Sequence, residues 1–356
     1  MVGGSIQGSK ASRVYGFSAR AVGQGGFRRP GAPDSTPMQH VSLDELDGFS
    51  SQWDAKVAAD GAVDDFCSCS AWQIAFARAF APERKFWLAH QGEAMVVLAE
   101  RADGVLEPLE NMWGFGAPLV GAEAAQLLAP WLLARPGPAL LLGLPAIEER
   151  LMALLEPLSG TYGFRALAPT TRFVACLDEG MEGWLADRSA SFRRNLRAAR
   201  RRVEAEEIRF RWVEVGPGQA MDDLYRTVLG VEARSWKGVQ NAGAATGPME
   251  TFYRELWPRL ASRGQLRVLL AERGGVAVGY LHGGCVGDGF RGLQVSFDCA
   301  HAHAGLGNVL QYTAMGHLAR AGVRRYDLGG FSEYKGRWGD EALQTVGLVL
   351  QPRVRP

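Results

Sequence analysis

The chain has 356 residues, of which 47% are hydrophobic and 22% charged, and its formal net charge is +1. These values fit a soluble globular chain long enough for two domains of ordinary size. The near-zero charge excludes a global field that would draw the whole molecule to nucleic acid or to a membrane.

Residues 1–38 are rich in Gly, Ser, Arg and Pro, lack an apolar period and are expected to form a disordered tail. From His40 the pattern becomes globular. Ser42 is placed to open a helix over 43–53, and a second helix is expected over 70–79. Strands are expected at 85–91, 95–101 and 106–112, parted by Gly92 and by Asp103-Gly104, which are hairpin signals. A loop rich in aromatic residues and glycine follows at 111–120. Next come a helix at 122–133, a strand at 139–144, a helix at 147–158 and a strand at 173–177.

The clearest helix spans 189–206. Phe192, Leu196, Ala199 and Val203 form its apolar seam. Arg193, Arg194, Arg197, Arg200, Arg201 and Arg202 make the rest of its surface basic. Three readings of that face stand open: a solvated surface, a contact for donor phosphates or tRNA, and a contact for an anionic acceptor such as a cell-envelope glycan or its nucleotide precursor. A strand at 208–215, a helix at 218–236, a loop at 237–248 and a helix at 250–263 lead to a meander of strands at 265–272, 276–286 and 290–297. A loop at 298–305, a helix at 307–320 and strands at 323–328 and 342–350 complete the chain. The fold class expected is α/β with a mixed sheet, in two halves of similar size at 39–178 and 179–356.

Chemistry concentrates near the end. A short strand runs into Gly329-Gly330, and Glu333, Tyr334, Lys335, Arg337 and Trp338 then follow within six residues. Paired glycines let a backbone turn or approach a ligand closely. One helix upstream, the loop A-H-A-G-L-G-N at 302–308 places Gly305, Leu306, Gly307 and Asn308 at a helix start, where backbone N–H groups favour phosphate. A helix-start turn without a ligand is the other reading of that loop.

The meander, glycine loop, helix and strand together resemble the core of the GNAT acyltransferase fold. Four blocks in order, F-R-R-N-L-R-A-A-R-R (192–201), E-A-R-S-W-K-G (232–238), A-G-L-G-N-V-L (304–310) and Y-D-L-G-G-F-S-E-Y-K-G-R-W (326–338), are similar to its FemAB- and CelD-like branch, related to the Fem peptidyl transferases. The resemblance covers residues 185–340 and implies a tandem GNAT-like fold with the donor site in the second half. It further implies direct transfer of an acyl group from acyl-CoA, such as acetyl-CoA, to an amine acceptor in cell-envelope or polysaccharide metabolism. Aminoacyl-tRNA as donor, and a catalytically silent ligand- or partner-binding scaffold, are the alternatives. The family loop carries Arg or Gln three residues before its first Gly; Ala302 stands there in this chain.

Under that resemblance Lys335 is the first catalytic candidate, as an ammonium beside the reacting carbonyl, followed by Tyr334, Glu333 and Asp327. Gly305, Leu306, Gly307 and Asn308 are the candidates to bind the CoA pyrophosphate. Arg194, Trp236, Lys237 and Trp338 are the candidates to bind substrate.

No metal is expected. Cys67 and Cys69 form a lone C-x-C, and His301 and His303 lack further ligands at metal spacing. The five irregularly spaced cysteines favour a reducing compartment. The most apolar run, 127–144, is broken by Pro130, Arg135, Pro136 and Pro138, which argues against a membrane span. No apolar leader pattern is visible, and a cytoplasmic protein is expected.

Overall fold

The structure, a computed structural model, describes residues 38–240 and 246–353. The expected tail, except Met38, lies outside the described residues, as does the middle of the loop expected at 237–248.

The first half begins with β1 (Gln39–Val41), α1 (Leu43–Gly48), α2 (Ser50–Ala59) and α3 (Ser70–Phe80). Ser42 accepts the Glu45 N–H while the Glu45 carboxylate accepts the Ser42 N–H, a reciprocal cap. The single helix expected at 43–53 is two, because the chain breaks step at Phe49, which ends one helix and starts the next. Strands β2 (Lys85–Gln91), β3 (Ala94–Glu100), β4 (Leu106–Glu107) and β5 (Leu119–Val120) follow. The strand expected at 106–112 stops at Glu107. Pro108 has no N–H for a ladder, and the Glu110 carboxylate accepts the N–H groups of Met112 and Trp113 at 2.7 and 2.5 Å. Helix α4 (Ala124–Ala134), β6 (Ala139–Pro145), α5 (Glu148–Leu158), β7 (Tyr162–Ala166) and β8 (Thr170–Cys176) complete this half. Strands β1 and β7 were not expected; both are short and lack clean alternation.

The second half contains α6 (Gly180–Ala186), α7 (Ala190–Ala205), β9 (Arg209–Val213), α8 (Gln219–Arg234), α9 (Trp236–Val239) and α10 (Gly247–Ser262). The meander is β10 (Leu266–Arg273), β11 (Val276–Val286) and β12 (Gly289–Phe297). A 3₁₀ turn (Cys299–Ala304), α11 (Leu306–Arg320), β13 (Arg325–Gly330), α12 (Glu333–Gly336) and β14 (Glu341–Pro352) follow. The helix expected at 218–236 is interrupted at Ser235, whose backbone is extended and whose hydroxyl accepts the Gly238 N–H to start α9.

All these strands join one mixed sheet, with the path β1-β2-β3-β4-β6-β14-β8-β13-β12-β11-β10-β9. Strand β14 pairs with β6, β7 and β8, all from the first half of the chain. Along β10 the side chains alternate between two cores. Val268 and Leu270 join Trp72, Phe252 and Trp257 from α3 and α10. Leu269 and Ala271 join Leu196, Leu306 and Met315 from α7 and α11. Helix α7 buries Leu196, Ala199 and Val203 and turns Arg194, Arg197, Arg200, Arg201 and Arg202 outward.

The feature that positions a site lies between β12 and β13. They pair in parallel over only three residues, from Gly289 opposite Arg325 to Arg291 opposite Asp327. Beyond that point both strands are irregular. Strand β12 carries one extra residue, Leu293, against β11, and β13 slips between Asp327 and Gly329 against β8. Such bulges bend a strand out of its ladder, and here the two strands part.

Candidate functional site

The parting strands open a cavity of about 600 Å³. One wall is β12 from Gly292 to Val295, with Phe297; the other is Tyr326 and Leu328 of β13. The start of α11 closes one end with Gly305, Gly307 and Asn308, and Gln311 lies one turn further along. Trp236 and Lys237 of α9 and Tyr334 and Lys335 of α12 form the rim. Gly305 ends the 3₁₀ turn with φ +74°, and a Cβ there would stand 3.1 Å from the Ala199 Cβ. Glycine is therefore what lets α11 begin hard against α7. The first-turn N–H groups of a helix lack partners within it and suit an anion. Ala302 is also on the wall and offers no side-chain donor.

Ser332 caps α12 by accepting the Lys335 N–H at 3.3 Å. This turn carries Lys335 back over β13. A Cβ on Gly329 (φ +80°) would lie 3.3 Å from Lys335 Nζ and 3.5 Å from an Arg291 guanidinium nitrogen. Burial, with Arg291 nearby, holds the Lys335 pKa below that of an ordinary lysine, and Asp327 opposes the shift. Lys237 donates to Gln294 Oε1 at 2.8 Å and to the Val295 carbonyl at 3.1 Å, and burial lowers its pKa as well. Tyr334 is 40% exposed as a residue, and burial around its hydroxyl pushes that group's pKa up.

Asp327 is placed differently from its neighbours on the rim. Its carboxylate accepts Arg291 at 2.7 Å, Arg172, and the Gly329 N–H at 2.7 Å. Arg172 also pairs with Asp64. Despite its burial, Asp327 is held below the ordinary aspartate pKa by its two guanidinium partners. This network faces a second cavity of about 610 Å³ on the other side of β13. Asp327 thus anchors the strand and is a poor base.

The remaining expected site residues are dispersed. Glu333 is exposed and outside the cavity wall, and Arg194 points to solvent from α7. Leu306 is fully buried in the core, so only its backbone reaches the loop. Trp338, expected to face substrate, is 1% exposed. Its indole stacks on Trp184 at 5.4 Å and meets Phe192 edge-on at 5.1 Å, so it supports the rim from beneath. His301 and His303 both clasp Glu206 and tie the 3₁₀ turn to the end of α7.

Several residues of the site had escaped the sequence reading: Arg291, Arg172, Asp64, Gln311 and Glu232. Glu232 is fully buried behind Lys237 and accepts the Tyr280 hydroxyl at 2.9 Å. A signal existed for it, since Glu232 continues the buried α8 stripe Leu224, Val228, Val231. A charge on an apolar helical stripe marks a paired buried group.

The model of the acetyltransferase (GNAT) domain family matches residues 190–342, which hold every residue of the cavity wall. FemX shares the fold with a TM-score of 0.59 at 11% identity, over 89% of this chain and 98% of that one. A conserved protein from Bacteroides thetaiotaomicron VPI-5482 has a TM-score of 0.59 at 11% identity, over 88% of this chain and 99% of that one. The C-terminal domain of a chain described as a lysylphosphatidylglycerol synthetase from Agrobacterium fabrum has a TM-score of 0.54 at 14% identity, over 87% of this chain and 93% of that one. The chain has a tandem GNAT-like fold. At these identities the shared structure speaks for the fold alone, and the matched GNAT domain speaks for a transferase. No curated protein matches the chain. Among the described residues no helix is long and apolar enough to cross a membrane, and no group of three or more His, Cys, Asp or Glu side chains is arranged to hold a metal ion.

Proposed function

We propose that this chain is an N-acyltransferase in which an acyl-CoA donor, such as acetyl-CoA, passes its acyl group directly to an amine within the cavity between β12 and β13. The observation that carries this reading is the cavity itself. It joins a glycine-lined helix start at one end to Lys335 at the other, inside the matched GNAT domain. The proposed organisation gives the donor site to residues 179–356 and a supporting GNAT-like half to 39–178.

The cavity and its ends fit a thioester with a phosphorylated arm. The helix start faces the phosphates with the Gly307 N–H, since the Gly305 and Asn308 N–H groups donate to the Ala302 and Gly305 carbonyls, while Phe297, Leu293 and Leu328 supply apolar contact for the arm. A bound thioester supplies an activated acyl carbon. The amine forms its C–N bond there, the C–S bond breaks, and the thiolate leaves. Lys335 donates to the carbonyl oxygen as charge gathers on it. Trp236 and Tyr334 cover the mouth and hold the two reactants together. No carboxylate or imidazole lines the described wall, so the amine proton leaves to water or to the departing thiolate.

Calorimetry with acetyl-CoA tests the donor, and absence of binding at millimolar concentration sinks this reading. Lys335→Ala is expected to lower turnover roughly 100-fold, the scale for losing one oxyanion donor, with an unchanged melting temperature. Unchanged turnover removes Lys335 from the chemistry.

A second reading, aminoacyl-tRNA as donor, is favoured by one observation. Arg197, Arg200, Arg201 and Arg209 outnumber Glu204 and Glu207 along a surface groove of about 660 Å³ beside α7. Under this reading tRNA binding weakens steeply with salt, because phosphate contacts release counterions. Failure of both donors leaves a silent GNAT-like scaffold that binds a partner or ligand.

A further inference from the structure

The cavity between β12 and β13 has an unusual charge balance. Its wall contains no Asp or Glu; its charged residues are Lys237 and Lys335. The nearest carboxylates stand behind the wall and are already engaged. Asp327 is held by Arg172, Arg291 and the Gly329 N–H. Glu232 accepts the Tyr280 hydroxyl at 2.9 Å and lies 3.8 Å from Lys237 Nζ, which it partly offsets. Arg291, beside Lys335 at Gly329, is paired with Asp327, so the cations facing the cavity remain those of the wall itself.

The hydrogen-bonding groups have the same bias. Gln311 is 4% exposed and lies on the cavity wall; its side-chain nitrogen carries two N–H donors, of which the neighbouring Tyr326 hydroxyl takes at most one. Buried donors of this kind are costly to leave unmade. Lys237 has three N–H donors and two acceptors at hydrogen-bond distance, Gln294 Oε1 and the Val295 carbonyl. Low dielectric inside such a cleft strengthens any charge placed there. A negatively charged acceptor satisfies Gln311 and Lys237 together.

Taking the acyl-transfer reading of the cavity as its frame, we infer that the substrate carries a carboxylate at its reacting end, held by Lys237 and Gln311 while Lys335 serves the carbonyl. Two sources present that chemistry. One is the far carboxylate of a short dicarboxylic acyl group on the donor; the other is the α-carboxylate of an amino-acid acceptor.

Calorimetry on the full chain compares succinyl-CoA with acetyl-CoA, and alanine with alaninamide. In one pair the carboxylate member is expected to bind at least tenfold more tightly, and that pair names the source. Lys237→Met is expected to erase the preference, Lys237→Arg to keep most of it, and Gln311→Leu to reduce it. Melting curves check that each variant folds; Lys237→Gln replaces the methionine variant if that one melts early. Equal affinity within both pairs overturns the inference, and so does a preference that survives loss of Lys237. The two readings fail separately. If acetyl-CoA and succinyl-CoA bind equally and alanine gains nothing over alaninamide, acyl transfer stands and the carboxylate falls. If neither thioester binds while alanine keeps a Lys237-dependent advantage, the carboxylate stands and the donor falls.

Discussion

His282 shows how burial decides the chemistry of one side chain. It is 2% exposed on β11, packed against the rings of Tyr253, Trp257 and Tyr280. Burial, aided by the Lys237 charge, lowers its pKa from 6.5 to about 3, so the imidazole stays neutral in the folded chain at neutral pH. In the unfolded chain it protonates near pH 6.5. The unfolded state therefore binds the extra proton between these values, and stability falls as pH drops from about 6.5 toward 3. One such group contributes up to about 1.4 kcal/mol per pH unit. Urea unfolding of His282→Phe at pH 7 and pH 5 is expected to show a shallower loss than the parent. An identical pH slope refutes this. The paired groups of the site follow the same logic with the same sign: Asp327 is held low by Arg291 and Arg172, and its contribution is lost in acid.

At the scale of elements, the parting of β12 from β13 depends on small distortions. Leu293 bulges β12, and Gly329 takes a left-handed φ of +80° with Lys335 and Arg291 close above it. An alanine at 329 meets both a strained backbone and two cations. The expected cost is about 1–2 kcal/mol of stability, together with displacement of Lys335 and a loss of turnover larger than the stability change explains. Wild-type turnover in a stably folded Gly329→Ala would show that Lys335 does not act from this perch. The pattern of strand, paired glycines and rim was visible in the sequence, as was the seam of α7. The short pairing of β12 with β13 was not, because register slips arise from how neighbouring strands seat, which hydrophobic alternation does not encode.

The whole molecule is bound together by β8 and β14. Strand β13, which carries part of the site, hydrogen-bonds β8 from the first half, and β14 threads between β6 and β8. The two halves therefore share one sheet without a break. Residues 179–356 expressed alone would expose the edges of β13 and β14. Such edges invite aggregation, so this fragment is expected to lack a cooperative thermal transition by circular dichroism, whereas the full chain has one. A sharp transition in the isolated fragment would contradict the sheet's role in coupling the halves. The sequence suggested two halves of similar size, and the alternation of elements is there. The exchange of strands across the midpoint was hidden, because pairing partners far apart in sequence leave no local trace.

Local physics determined much of this protein from the sequence alone. Capping at Ser42, the seam of α7, the meander and the glycine start of α11 each depend on residues a few positions apart, and their patterns predicted them. The order of those elements suggested a GNAT-like fold, and the resemblance of the block at 326–338 to the Fem-related branch made Lys335 the first candidate. Only the tertiary structure decided which charges meet. It turned Asp327 away from the cavity and into the grip of Arg172 and Arg291, and it seated Trp338 in the core. It also set Lys237, Gln311 and Lys335 around one space free of carboxylates. Charge and packing act through space over a few ångströms, whatever the separation along the chain, and that distance exists only once the chain is folded.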